Sequence, residues 1–176
     1  VTGFSSFGPT DDGRIKPALV GSGENILSTN SVNDRSYKVL SGTSMAAPNI
    51  SGSLLLLQEH YANLRNGQVM RAATLKGLAI HTADEAGDAP GPDYKHGWGL
   101  LNASRAATMI SNTKNTNLIE ERSLEQGKTY TSEVVASGAG PLVATISWTD
   151  PEGAAHPTAS ALNNRNPRLV NDLDLR

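Results

Sequence analysis

Tyr37-Lys38-Val39-Leu40-Ser41-Gly42-Thr43-Ser44-Met45-Ala46-Ala47-Pro48 changes its periodicity midway. Residues 37–40 form a short strand-like segment that ends at Ser41-Gly42. From Ser44 to about Asn63 the pattern is helical, because Ile50, Leu54, Leu57 and Tyr61 recur at three- and four-residue steps. Pro48 is placed in the first turn, where a missing N–H is harmless. Ala46, Ala47, Ser51, Gly52 and Ser53 fill the first half, as in a helix packed closely against other backbone. Ser44 therefore stands at a strand-to-helix turn, after a Gly that permits tight geometry and at the positive end of the helix dipole. Its hydroxyl is expected to project at the helix tip, with its own N–H aimed at any oxygen docked there, which is half of an oxyanion hole. On position alone, a plain helix N-cap is the commoner reason for a Ser at such a place.

Outward from this turn, two kinds of patterning divide the chain. Residues 1–36 are rich in Gly, Ser, Pro, Asn and Asp, with apolar stretches at Ala18-Leu19-Val20 and Ile26-Leu27, and read as loops carrying brief strands. A second helix is predicted from about Val69 to His81 and a third from Leu100 to about Ile110, separated by a polar Gly/Pro loop over 84–98. Residues 111–117, Ser-Asn-Thr-Lys-Asn-Thr-Asn, carry no apolar side chain. Beyond them the period is two. Leu142, Ala144, Ile146 and Trp148 share one face, and Leu169 to Arg176 alternates likewise, while Tyr130 to Val135 is a third strand candidate. The reading is an α/β unit over 1–112 followed by an all-β unit over 113–176.

The bulk numbers exclude several functions. With 176 residues and a net charge of −2, the chain has no general electrostatic affinity for nucleic acid or anionic membranes. The longest aliphatic run, Leu54 to Leu57, is far short of a membrane span. The absence of Cys rules out disulfides, thiolate metal sites and a Cys nucleophile. Val1-Thr2-Gly3-Phe4 has neither the basic nor the apolar region of a signal peptide, and the chain reads as a processed or excised piece.

The longer string around Ser44 favours the nucleophile over the cap. Gly42-Thr43-Ser44-Met45-Ala46-Ala47-Pro48 resembles the nucleophile signature of the subtilisin-like serine proteases, the subtilases. Phe4-Ser5-Ser6-Phe7-Gly8-Pro9 is similar to that family's Ser-Ser-x-Gly-Pro segment, and Asp12 to Pro17 to the Lys-Pro element leading into a strand, here Ile26-Leu27-Ser28. Gly97-Trp98-Gly99-Leu100-Leu101-Asn102-Ala103 is similar to the Gly-x-Gly-x-x-Asn-Ala that closes the family's catalytic domain. One departure is that Ala18 and Gly21-Ser22 stand where the family commonly has Asp and Ala-Pro. The resemblance implies a mostly parallel sheet, secretion, and cleavage of protein or peptide substrates through an acyl-enzyme. Ser44 would be the nucleophile and an oxyanion donor, supported by Gly42, Thr43, Met45 and Pro48, and catalysis would need no cofactor.

The family's chain order is Asp, His, Ser, so both partners of Ser44 should precede it, and no His does. His60 lies sixteen residues on along the same helix, roughly 24 Å away at about 1.5 Å per residue. His81 reads as a helix-end cation, His96 as a residue before the Gly-Trp-Gly turn, and His156 as part of a loop. The chain is thus expected to be inert alone and to pair with a missing N-terminal catalytic portion, or with itself; a pseudoprotease or interaction module is the alternative. Ile146 to Asp150 with Leu169 to Leu175 resembles the start of the β-sandwich, jelly-roll-like, appended to some subtilases. Asp150, Asp172 and Asp174 could offer oxygens to a structural Ca²⁺, although a solvent-facing acidic strand edge accounts for them more simply.

Overall fold

The computed structural model describes residues 1–113, 115–136, 138–155 and 163–176. Its elements run β1 (Ile26–Thr29), β2 (Tyr37–Leu40), α1 (Thr43–Leu64), α2 (Ala72–His81) and α3 (Ala103–Ser111). The strands expected at Ile26-Leu27 and over 37–40 form, and β1 pairs antiparallel with β2, Ile26 opposite Leu40 and Thr29 opposite Tyr37, whereas Ala18-Leu19-Val20 yields only a single bridge at Val20.

The core lies between the helices. Leu57 of α1, Met70, Leu78 of α2, and Ala106 and Ile110 of α3 are buried together, with Leu54, Tyr61, Leu75, Met109 and Ile119 around them. The stripe read along α1 is the packed one: Leu57 is 2% exposed, whereas Leu55 is 70% exposed. Burying a side chain such as Leu57 contributes about 1.5–3 kcal/mol. Thr82, the buried polar residue, donates its hydroxyl to the Leu78 carbonyl at 2.8 Å and so carries no unmet bond.

Two helices begin later than their periodicity suggests, and each delay has a cause. Met70 is held by the Gln58 side chain, which accepts its N–H and donates to its carbonyl, both at 2.9 Å. That pairing excludes Met70 from α2. Leu100 is taken up by backbone pairing with Asp84, N–H to carbonyl in both directions at 2.9 Å. Helix α3 then starts after Asn102, whose side chain accepts the Arg105 N–H at 2.8 Å and caps it.

Of the expected parallel sheet, the described residues show two isolated parallel bridges, Val20 with Leu100 and, locally, Thr113 with Asn117. Val20 donates to the Gly99 carbonyl at 3.0 Å and Leu101 to the Val20 carbonyl at 3.1 Å. Gly97 and Gly99, at φ 64° and 117°, allow this close approach. A Cβ on either would enter the carbonyls of Pro17 or Asp84. Beyond the bridge at Asn117 no described residue pairs as a strand: Tyr130 to Val135, Leu142 to Thr149 and Leu169 to Arg176 are unpaired. Alternation prepares a segment to be a strand, but only a neighbour that takes up its N–H and C=O groups makes it one.

Candidate active site

Ser44 is the second residue of α1 and is exposed. The N-cap is Gly42, at φ 158° and ψ 163°, and no side chain caps this helix. Ser44 is therefore not the cap that position alone suggested. Among the described residues neither its hydroxyl nor its backbone N–H has a hydrogen-bond partner. The amides that do turn back belong to Met45 and Ala46, which reach the Gly42 carbonyl at 3.0 and 3.3 Å. A hydroxyl and an N–H, both free, thus sit side by side at the positive end of a 22-residue helix that has no acidic residue in its first turn.

Pro48 corrects the sequence reading. It is the sixth helical residue, in the second turn. It has no N–H to give to the carbonyl four residues back, which is that of Ser44 itself. Thr43 and Pro48 are exposed, and the Met45 sulfur folds over Gly42, 3.6 Å from where a Cβ would be.

Two clamps hold the turn, and neither was legible in the sequence. The Gly42 N–H donates to the Gly23 carbonyl at 2.8 Å. The Asn25 N–H donates to the Ser41 hydroxyl at 2.8 Å, with Asn25 in the left-handed region at φ 54°. Both tie the entry to β1 to the exit from β2. Behind them Gly21 and Gly23 lie on α1, where a Cβ would stand 2.7 Å from Ile50 Cγ1 and 2.9 Å from Ala46 Cβ respectively. The departure at Gly21-Ser22 thus sits against the helix that carries Ser44.

Three histidines are engaged elsewhere. His60 Nε2 lies 2.8 Å from Ser111 Oγ, His81 Nδ1 2.8 Å from Thr145 Oγ1, and His96 Nδ1 3.2 Å from Asp93 Oδ2. His156 lies outside the described residues. At His81 burial, and then Arg105, work against the cation that the helix end favours and hold the pKa below the ordinary histidine value.

Asp150, Asp172 and Asp174 do not converge, and among the described residues no group of three or more His, Asp or Glu is placed to hold a metal ion. Asp150 accepts the Val170 N–H at 2.7 Å and the Asn171 N–H and amide at 2.9 and 2.8 Å. Those bonds, the one from Val170 first, hold its carboxyl below the ordinary range. Asp150 thereby joins the two stretches that suggested a β-sandwich. Asp174 pairs instead with Arg176 at 2.9 Å.

The subtilase family model matches residues 1–99, more than half of the chain, and takes in the Ser44 turn and the Gly97-Trp98-Gly99 turn. The chain belongs to the subtilase family. It is 52% identical over 58 residues to the C5a peptidase of Streptococcus pyogenes, a match covering 33% of this chain and 5% of that protein. It is 27% identical over 97% of its length to the serine protease/ABC transporter B family protein tagA of Dictyostelium discoideum, covering 12% of it. Among solved structures, the CspB protease of Clostridium perfringens matches with a TM-score of 0.50 and 35% identity over 57% of this chain and 22% of the other. This subtilase chain therefore spans a small part of the length of the relatives it matches, and the likeness fits an α/β protease domain.

Proposed function

We propose that this chain is the nucleophile-bearing part of a serine endopeptidase in which Ser44 attacks the substrate carbonyl. The observation that carries the reading is the pair of free groups at the tip of α1, the Ser44 hydroxyl and N–H, in a turn clamped to Gly23 and Asn25. In the reaction Ser44 Oγ bonds to the carbonyl carbon, its proton passes to a histidine, and the new oxyanion is met by the Ser44 N–H. The amine leaves with that proton, and water then releases the acyl group. The family's order of Asp, His, Ser puts both partners before Ser44 and no histidine precedes it here, so in this reading the histidine and its aspartate belong to another part of the parent protein and the chain alone is inert.

The same reading extends to the surroundings. The substrates are proteins or peptides and the parent is extracellular. The apolar side chains of the hairpin and α1 (Leu27, Tyr37, Val39, Leu55 and Leu56, all more than half exposed) are the surface that the rest of the catalytic unit covers, or that drives self-association when it is absent. The segment after residue 113 begins a β-sandwich whose strands pair with later ones.

A fluorophosphonate probe tests the assignment. The 176-residue chain should remain unlabelled, whereas the parent-length protein should be labelled at Ser44 and lose the label on Ser44→Ala. Rapid labelling of the short chain would overturn the account of the absent base. An active parent labelled at another serine would overturn the nucleophile.

A further inference from the structure

Helix α2 carries three contacts to the chain beyond residue 113. At its start, Glu121 accepts the Arg71 N–H at 2.7 Å and the Thr74 hydroxyl, and its other oxygen lies 3.4 Å from Arg71 Nε. Arg71 is the N-cap residue and its side chain makes no cap bond, so Glu121 brings a carboxylate where the helix terminus favours one. In the middle, the bare backbone of Gly77 lets Ser147 lie close: a Cβ on Gly77 would stand 2.8 Å from Ser147 Cβ. At the end, His81 Nδ1 lies 2.8 Å from Thr145 Oγ1.

The spacings of these partners match. Gly77 and His81 are four helical residues apart, a rise of about 6 Å, on one face of the helix. Ser147 and Thr145 are two extended residues apart, about 6.6 Å, on one face of their segment. Paired as Gly77 with Ser147 and His81 with Thr145, the two elements run side by side in opposite directions. This is the hydroxyl-bearing face of the alternation, Thr145 and Ser147, laid on a helix where a sheet neighbour was expected.

We propose that residues 142–149 form a strap laid along α2, with Glu121 fixing the helix at its other end, and that His81 is the proton-sensitive latch of that strap. The groups around the ring set the direction. The strap offers it a neutral hydroxyl, Thr145, and α3 offers it the positive charge of Arg105. The C-terminal carbonyls of α2 favour a cation, but burial and Arg105 outweigh them and depress the pKa. A neutral ring can either accept from Thr145 or donate to it, whereas an imidazolium can only donate and carries its charge beside Arg105. With the docked pKa depressed, the latch contributes fully above the ordinary histidine value of about 6.5. Its contribution is lost as the pH falls below that value, because the released state takes up the proton first. Mild acid therefore frees the strap, whether or not Ser44 is a nucleophile.

Hydrogen exchange of the α2 amides in the full 176-residue chain, corrected for intrinsic rates, tests this at pH 7.5 and pH 5. The wild type should lose protection at the lower pH. Thr145→Val should raise exchange about fivefold at pH 7.5, the effect of one ordinary hydrogen bond. His81→Gln, which keeps a polar group but cannot charge, should remove the pH dependence. An NMR titration of the His81 ring supplies a second readout that needs no variant, and should show a pKa below the ordinary value. Equal protection at both pH values, pH dependence that survives in His81→Gln, or an unshifted ring would each overturn the latch.

Discussion

Gly23→Ala should destabilise the chain, and the structure gives the size of the effect. A Cβ at this position would lie 2.8 Å from the Gly42 carbonyl oxygen, 2.9 Å from Ala46 Cβ and 3.1 Å from Ala46 N. None of these can rotate away: two are backbone atoms and the third is a methyl on the first turns of α1. Overpacking of this kind costs about 1–3 kcal/mol. Gly23 does not have a positive φ, so alanine also restricts the unfolded chain and offsets about 0.4–1 kcal/mol of that cost. The net loss is about 0.5–2 kcal/mol, which lowers Tm by about 1–8 °C in a chain of this size. Gly52→Ala is the control. It lies within α1 and a Cβ there meets nothing within 4 Å. The better helix propensity of alanine, about 1 kcal/mol, should raise Tm by about 2–4 °C. Thermal unfolding followed by circular dichroism at 222 nm compares the two. Shifts of the same sign would refute the reasoning, since they would show that losing a glycine matters more than where its Cβ points. Amide exchange at Met45 and Ala46 should rise in Gly23→Ala and stay unchanged in Gly52→Ala.

Other expectations concern the supports of the fold. Asn102 caps α3 through its oxygen and donates to both Asp84 oxygens, at 3.1 and 2.9 Å. Asn102→Ala should cost about 1 kcal/mol or more by urea unfolding, and Asn102→Asp should rescue none of it, because its capping oxygen comes with a second carboxylate facing Asp84. In the 84–98 loop, Glu85 accepts N–H bonds from Gly91, Ala86 and Gly87, and Asp93 from His96 and Lys95. These bonds, from Gly91 and His96 first, hold both carboxyls below the ordinary range. Their contribution is present at and above ordinary carboxylate values and is lost as the pH falls through the lowered ones. The Gly91 and His96 amide shifts should therefore titrate below the ordinary carboxylate range; a midpoint at or above it would contradict the bonding.

Much of the first half was readable because its signals are local. A helix declares itself by which side chains recur every third or fourth residue, so Leu54, Leu57 and Tyr61 marked the packed face of α1. Likewise, Tyr37 to Leu40 and Ile26-Leu27 are short apolar runs next to turn residues. The boundaries that slipped were set by partners distant in the chain. Gln58 withholds Met70 from α2, and Asp84 withholds Leu100 from α3. Periodicity contains no trace of such partners.

The site divides in the same way. Ser44 and the string around it were legible as a motif, because a tight turn at a helix tip needs particular small residues in a particular order. Whether Ser44 capped its helix or stood free was not legible, since either role accepts a serine; the path of the backbone through Gly42 left its hydroxyl and N–H without partners. The clamps from Gly23 and Asn25 join residues nineteen and sixteen apart, and the Glu121 contact to α2 spans fifty. Hydrogen bonds of that reach form only when folding brings the two segments together. For the same reason the alternation over 142–149 could not say what would lie beside it: period two specifies a face, and the neighbour found there was α2, through Gly77 and His81.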